Sequence, residues 1–265
     1  MFGSLTKVVR LGAWEVRLKK LKPYIKDFTK RADMTLLILC LISSIFGIIV
    51  IASASASLSG SARYVIVQIV SLIIGLGLFV LFTVLDIDII ADKWAALIVF
   101  EIFLTLLLLT PLGFADDSGN RAWLRFGFVG VQPAEVIKIP FIIVLAKQIN
   151  YLKNYKNLNS VVSVGQMLVH CVFIIGLIVA VSRDMGSALV FLFIFIIMLF
   201  VAGLRFYWFI IGLAGAAAIT PFFWTHVLNQ RYRDRILSPY DATIDPMGTN
   251  IRWQSNQSKI ALASG

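Results

Sequence analysis

Apolar residues collect in seven stretches along the chain, near 34 to 54, 63 to 85, 94 to 112, 133 to 149, 162 to 181, 186 to 204 and 206 to 224, with short polar joints between them. Each stretch, coiled as a helix, covers roughly the 30 Å of a bilayer's hydrocarbon. The pattern therefore predicts an all-α, polytopic integral membrane protein with seven transmembrane helices. The first stretch ends in Ala52, Ser53, Ala54, Ser55 and Ala56, which imitates a signal-peptidase site. Its apolar core is longer than the roughly 7 to 15 residues of a secretory signal, so it reads as an uncleaved first span. The joints Ser182 to Met185 and Gly203 to Arg205 imply antiparallel, closely packed neighbours, whereas Asn150 to Asn159 reads as a polar, basic loop. No internal repeat of the kind many transporters carry is visible.

Composition agrees with lipid as the solvent. The 265 residues are 59% hydrophobic and 14% charged, against about 25% charged in ordinary soluble domains. The mean hydropathy of +0.90 excludes a soluble globular protein. Cys40 and Cys171 both fall inside apolar stretches and outline no disulfide framework.

The net charge of +10 would suggest nucleic acid in a soluble protein, but here its distribution points to membrane topology. Nine of the 24 basic residues lie between Lys7 and Arg31, ahead of the first span. Adding Lys93, Lys147, Lys153, Lys156 and Arg205 gives the even-numbered side of the loops an excess of basic residues. The positive-inside rule then places the N-terminus in the cytoplasm and residues 225–265 outside. The expected organisation is a basic cytoplasmic segment over 1–33, a seven-helix membrane domain over 34–224 and the start of a large extracytoplasmic loop over 225–265.

Ionisable groups inside a membrane cost a few kcal/mol each and call for a partner or a task. Arg121 and Trp123 lie in the loop after the third span, followed by Gln132, Pro133, Glu135 and Lys138. Pro133 suits a first helical turn, and Glu135 and Lys138, three apart, share a helix face. They form either a self-neutralising pair or a polar wall beside an anionic substrate. Trp123 suits an interfacial aromatic or a platform for a sugar. Asp184 is placed to cap the sixth span, while Glu101 and His170 stand as isolated polar groups in the third and fifth. Beyond the last span, Arg231, Arg233 and Arg235 form a cluster suited to phosphate, because guanidinium binds phosphate through paired hydrogen bonds. Asp245 opens an Asp-Pro-x-Gly turn, with Gln257, Ser258 and Lys259 downstream. A lipid-linked pyrophosphate would bring its charge to this depth and its tail between the helices.

Three separated motifs then resemble the SEDS family of RodA-, FtsW- and SpoVE-like proteins. Gly119 to Lys138 (GNRAWLRFGFVGVQPAEVIK) is similar to its G-x-x-R-W…QP-[SA]-E-x-x-K signature. Arg183 to Gly203 (RDMGSALVFLFIFIIMLFVAG) and Asp245 to Gly265 (DPMGTNIRWQSNQSKIALASG) are similar to its QPDLG-T-A…LF-x-AG and DP-x-G-x-GYQ-x-x-QSKIA-x-GSG stretches. Ala122 stands where the family has Arg before the Trp, with Arg121 one place earlier, and Ser182 and Arg183 replace Gln-Pro. The resemblance implies a multi-pass glycosyltransferase of the bacterial cytoplasmic membrane, which polymerises lipid II at the outer face beside a class B penicillin-binding protein. It assigns substrate-facing roles to Arg121, Trp123, Gln132, Glu135, Lys138, Asp184, Asp245, Gln257, Ser258 and Lys259, to which the arginine cluster adds Arg231. The family's catalytic aspartate, in a His-Thr-Asp-Phe-like motif, and three further spans of an expected ten are anticipated beyond Gly265. On that reading the chain is an N-terminal portion without a catalytic residue of its own. Lipid II transport and a non-catalytic scaffold are the alternatives. No cofactor is identified, and a divalent cation on the pyrophosphate stays open.

Overall fold

The computed structural model describes residues 28–56, 60–115, 120–126, 129–228, 230–241 and 243–264. Most of the basic N-terminal segment, from Lys7 to Lys26, and Gly119 of the first motif lie outside them. The chain is mostly helical and divides into two units, Met1–Phe100 and Glu101–Gly265.

In the first unit, α1 (Met34–Ala54) and α2 (Ser61–Val84) pack side by side, followed by the short α3 (Ile87–Asp92) and the beginning of α4 (Trp94–Leu106). Asp33 caps α1 by accepting from the Leu36 amide at 2.9 Å, and Asp86 caps α3 through the Asp88 amide at 3.0 Å. No residue of α1 or α2 is buried, and Phe46 and Ile73 are 66% and 64% exposed. Such surfaces suit hydrocarbon, where a helix satisfies its own backbone and presents apolar side chains outward.

The second unit is built on α5 (Pro133–Tyr155), α6 (Val161–Ser182) and α7 (Met185–Ala202). Ile137, Phe141, Leu145, Ile149 and Leu152 recur at three- and four-residue spacing along one face of α5. They meet Met167, Cys171, Ile174 and Ile178 of α6, and Phe191, Phe195 and Leu199 of α7. At the centre the rings of Phe141 and Phe191 pack edge to face with centroids 5.1 Å apart. The α6–α7 joint is the tight turn expected: Arg183 takes left-handed φ 56° and Asp184 caps α7. Across the second short joint, α8 (Phe206–Phe222) buries no residue. Its start is held by Asn159, which accepts from the Arg205 amide at 2.7 Å and the Trp208 indole at 3.1 Å.

Helices occur at all seven expected places, with three corrections. Five stretches are long and apolar enough to cross a membrane: α1, α2, α6, α7 and Phe206–His226, which runs through a π-helical turn (Phe223–Val227). The third expected span stops at Leu106 and adds only a 3-10 turn, Leu107–Leu109. The fourth continues to Tyr155, so most of the expected Asn150–Asn159 loop is helix. The buried stripe reaches Leu152 there, and the Asn154 amide donates to Asn150 Oδ1 one turn back at 2.8 Å.

The third correction is a small antiparallel sheet within an otherwise all-α expectation: β1 (Gly113–Phe114), β2 (Trp123–Phe126) and β3 (Val129–Val131), in that order. Leu124 sits opposite both Gly113 and Val131. In β2, exposed Trp123 and Arg125 alternate with Leu124, which is 1% exposed, as a half-buried strand requires. Gly113 is obligatory here, because a Cβ would lie 1.9 Å from the Leu108 carbonyl oxygen. Gly113→Ala is expected to cost about 1–3 kcal/mol by forcing the turn open, read as a lowered thermal unfolding midpoint in detergent.

Candidate functional site

The N-termini of α5 and α7 are joined at one end of the second unit by side chains. Pro133 occupies the first turn of α5, where its missing N–H costs nothing. Gln132, the residue before it, donates from Nε2 to Asp184 Oδ2 at 3.0 Å and to Ser187 Oγ at 3.3 Å. Asp184 accepts from the Ser187 amide at 3.0 Å and from its hydroxyl at 2.7 Å. One carboxylate thus caps α7 and ties it to α5.

Two further segments close on this point. The Arg121 amide donates to the Ser182 carbonyl at 2.9 Å, and Arg121 Nε reaches the Gly113 carbonyl at 3.4 Å, so the strand loop is pinned to the α6–α7 turn. From the other side comes α9 (Gln230–Leu237). Its Tyr232 hydroxyl donates to the Arg183 carbonyl and reaches Asn120 Oδ1 at 3.1 Å. Burial raises the Tyr232 hydroxyl above the ordinary tyrosine value. Arg235 opposes that shift, Asp184 adds to it, and Arg231 and Arg183 oppose it more weakly. Arg183, Arg231, Arg235 and Asp184 therefore lie within electrostatic reach of this hydroxyl.

The arginine cluster is split by the fold. Arg233 donates to the Leu228 and Thr225 carbonyls at 3.0 and 2.9 Å, closing the end of the helical run that α8 begins. Arg231 and Arg235, four apart on α9, join Arg183 around Tyr232 instead.

Glu135 and Lys138 lie one and two turns into α5 from Gln132. Lys138 Nζ donates to both Glu135 oxygens at 2.8 Å, with side chains 22% and 59% exposed for Lys138 and Glu135 respectively. Trp123 is 42% exposed, and its six-membered ring lies against Gly130, where a Cβ would sit at 3.4 Å.

Asp245, Gln257, Ser258 and Lys259 form a separate group. Asp245, at φ 59°, closes its turn through its carbonyl to the Gly248 amide at 3.0 Å. Its carboxylate accepts from the Asn250 and Arg252 amides at 2.9 and 3.0 Å. Those amides, Arg252 first, hold its pKa below the usual carboxylate value. Gln257, Ser258 and Lys259 are exposed on α10 (Trp253–Ala263), which buries no residue. Because the folded form of Asp245 has the lower pKa, its contribution is complete above the unfolded value, near 3.9, and is lost as pH falls through the folded one. Protection of the Asn250 and Arg252 amides, taken relative to the intrinsic exchange rate at each pH, is expected to hold from about pH 4 to 7 and to fall only at more acid pH.

Glu101 and His170, read separately in the sequence, are brought together: His170 Nε2 lies 3.9 Å from Glu101 Oε2. Their separation by 69 positions, in two apolar runs, hides the pairing. Asn120, Arg183, Ser187 and Tyr232 were also missed as site residues; the Tyr between two arginines in the polar α9 was the available signal. Among the described residues, no group of three or more His, Cys, Asp or Glu is arranged to hold a metal ion.

Comparison with known proteins reaches the same part of the chain. Residues 33–265 match a family model described as cell cycle protein, built on FtsW, RodA and SpoVE. Peptidoglycan glycosyltransferase MrdB of Escherichia coli K12 is 29% identical over 236 residues, covering 88% of this chain and 60% of that protein. Stage V sporulation protein E of Bacillus subtilis is 30% identical over 243 residues, with 88% and 63% covered. Among solved structures, a chain of a peptidoglycan synthase complex, described as coordinating polymerization and crosslinking, superposes with a TM-score of 0.61. It is 24% identical, with 77% of this chain and 60% of that one covered, a likeness of fold. The chain spans about three fifths of the length of these relatives.

Proposed function

The chain belongs to the FtsW, RodA and SpoVE family of cell cycle proteins, and from that premise we propose that it serves peptidoglycan glycan-strand polymerisation from lipid II at the outer face of the bacterial cytoplasmic membrane. Its topology on this reading is seven spans, with α4 and α5 completing the five strongly apolar ones, the N-terminus inside and residues 225–265 outside. In α5, the polar groups Glu135 and Lys138 neutralise each other while the apolar stripe packs on α6 and α7.

The observation that carries the reading is Tyr232 of α9 hydrogen-bonded to the Arg183 carbonyl beside Asp184, which brings Arg231 and Arg235 of the same helix to this end of the unit. In glycosyl transfer from a lipid diphosphate, a sugar hydroxyl displaces the pyrophosphate, and the departing charge needs cations already in place. The arginines supply them, Gln132 and Asp184 hold the helix ends in register, and Glu135 and Lys138 lie along the path of the lipid. No described residue is assigned as the base: Asp184 is committed to its cap and Asp245 to its turn. The transpeptidase partner on this reading is a class B penicillin-binding protein.

The test uses a protein extended to its relatives' length, reconstituted with that partner and supplied with labelled lipid II. Glycan strands are expected, and Arg231→Ala with Arg235→Ala is expected to reduce them at least about tenfold, since each charge-assisted hydrogen bond contributes about 1.5–3 kcal/mol. Strands formed at the unaltered rate by the double variant would remove the arginines from the reaction.

A further inference from the structure

Two ionisable side chains in the interior of the second unit have no part in the site above. Glu101 of α4 is fully enclosed, and neither carboxylate oxygen has a hydrogen-bond partner among the described residues. The His170 side chain on α6 is 10% exposed, and both ring nitrogens also lack a partner among them. The two face each other at 3.9 Å, with the Phe141 ring of α5 against the imidazole at a centroid distance of 5.3 Å. Thr105, one turn further along α4, directs its hydroxyl to the Glu101 backbone carbonyl at 2.8 Å and leaves the carboxylate alone.

The helices around this pair bring few other charges. On α6 the other titratable group is the Cys171 thiol, buried beside His170. On α5, Glu135 and Lys138 satisfy each other, and Lys147, Tyr151, Lys153 and Tyr155 lie toward the opposite end of the helix. Neither α7 nor the 3-10 turn after α4 carries an ionisable side chain, and Glu101 is the one such residue of α4.

An unpaired ion in an apolar interior costs several kcal/mol. With no proton the pair bears one negative charge, and with two it bears one positive charge. With a single proton it is neutral overall, whether as carboxylate and imidazolium or as carboxylic acid and imidazole. We propose that Glu101 and His170 form a proton-binding site in the membrane interior that holds one proton between them. A small rotation of either side chain closes 3.9 Å to a direct hydrogen bond, so the site needs no further residue. This inference stands apart from the polymerase reading and would survive its failure.

The chain has two histidines and three glutamates, which makes the proton countable. His226→Gln, at an exposed position on the π-helical turn, leaves His170 as the one histidine. The protein, labelled with ¹⁵N-histidine and ¹³C-carboxyl glutamate, is placed in lipid nanodiscs. Ring-nitrogen shifts count protons on His170, and the carboxyl signal that disappears in Glu101→Gln reports Glu101. The expected result is one proton in total at neutral pH. An ionised Glu101 opposite a neutral imidazole, or a protonated acid opposite an imidazolium, would each overturn the proposal.

Discussion

Asp184→Ala is expected to loosen the whole end of the second unit, lowering stability by about 2–4 kcal/mol. Loss of a helix cap contributes about 1 kcal/mol. The Gln132 amide and the buried Ser187 hydroxyl would also lose their acceptor, at about 1–3 kcal/mol for polar groups left unsatisfied. Asp184→Asn keeps the cap, since asparagine caps a helix as well as aspartate does, but its amide nitrogen cannot accept from Gln132 and Ser187 as Oδ2 does, so this variant is expected to fall between the parent and Asp184→Ala in stability. It also removes a negative charge beside Arg183, so binding of an anionic lipid should hold or tighten, whereas Asp184→Ala should weaken it. Thermal unfolding in detergent, run beside lipid binding, distinguishes the two. Equal destabilisation by both variants would show that the charge, and not the cap, holds this end.

The second large effect concerns Glu135. Glu135→Ala leaves the Lys138 ammonium without its acceptor at 2.8 Å, and on the proposed seven-span topology a lone lysine in α5 costs up to about 2.5–3.5 kcal/mol, the insertion-scale value at a helix centre. Accumulation in the membrane should fall severalfold. In the double variant Glu135→Ala with Lys138→Ala, both charges are gone and accumulation should recover. If the pair served packing alone, the double variant would also recover polymerisation in the extended protein. The polymerase reading predicts that it stays at least about tenfold low, since a charge-assisted contact of about 1.5–3 kcal/mol is lost.

Hydrophobic patterning carried the helices because hydrocarbon leaves the backbone little alternative. The joint from Ser182 to Met185, the Asp184 cap, Pro133 in its first turn and the Glu135–Lys138 pair were all readable from spacing of three or four residues. Less local features were not. The extension of α5 to Tyr155 depends on Leu152 finding a core that its polar neighbours conceal. The sheet's strands, of two to four residues, are too short for a period of two to stand out. Tyr232 reaches Arg183 across 49 positions and Asn120 across 112, and no periodicity encodes such contacts. The arginine cluster was legible as a charge. Its division, with Arg233 tying backbone carbonyls and Arg231 and Arg235 facing Tyr232, required the fold.

The central claim, that the Asp184 end of the second unit receives a lipid-linked pyrophosphate, is tested most directly by native mass spectrometry of the protein in nanodiscs. Lipid II is compared there with undecaprenol, which has the same tail and no phosphate. Preferential binding of lipid II is predicted, lost by at least about tenfold in Arg231→Glu with Arg235→Glu, as expected where two charge-assisted contacts become repulsive. Equal binding of the two lipids, or lipid II binding indifferent to the charge reversal, would contradict the account.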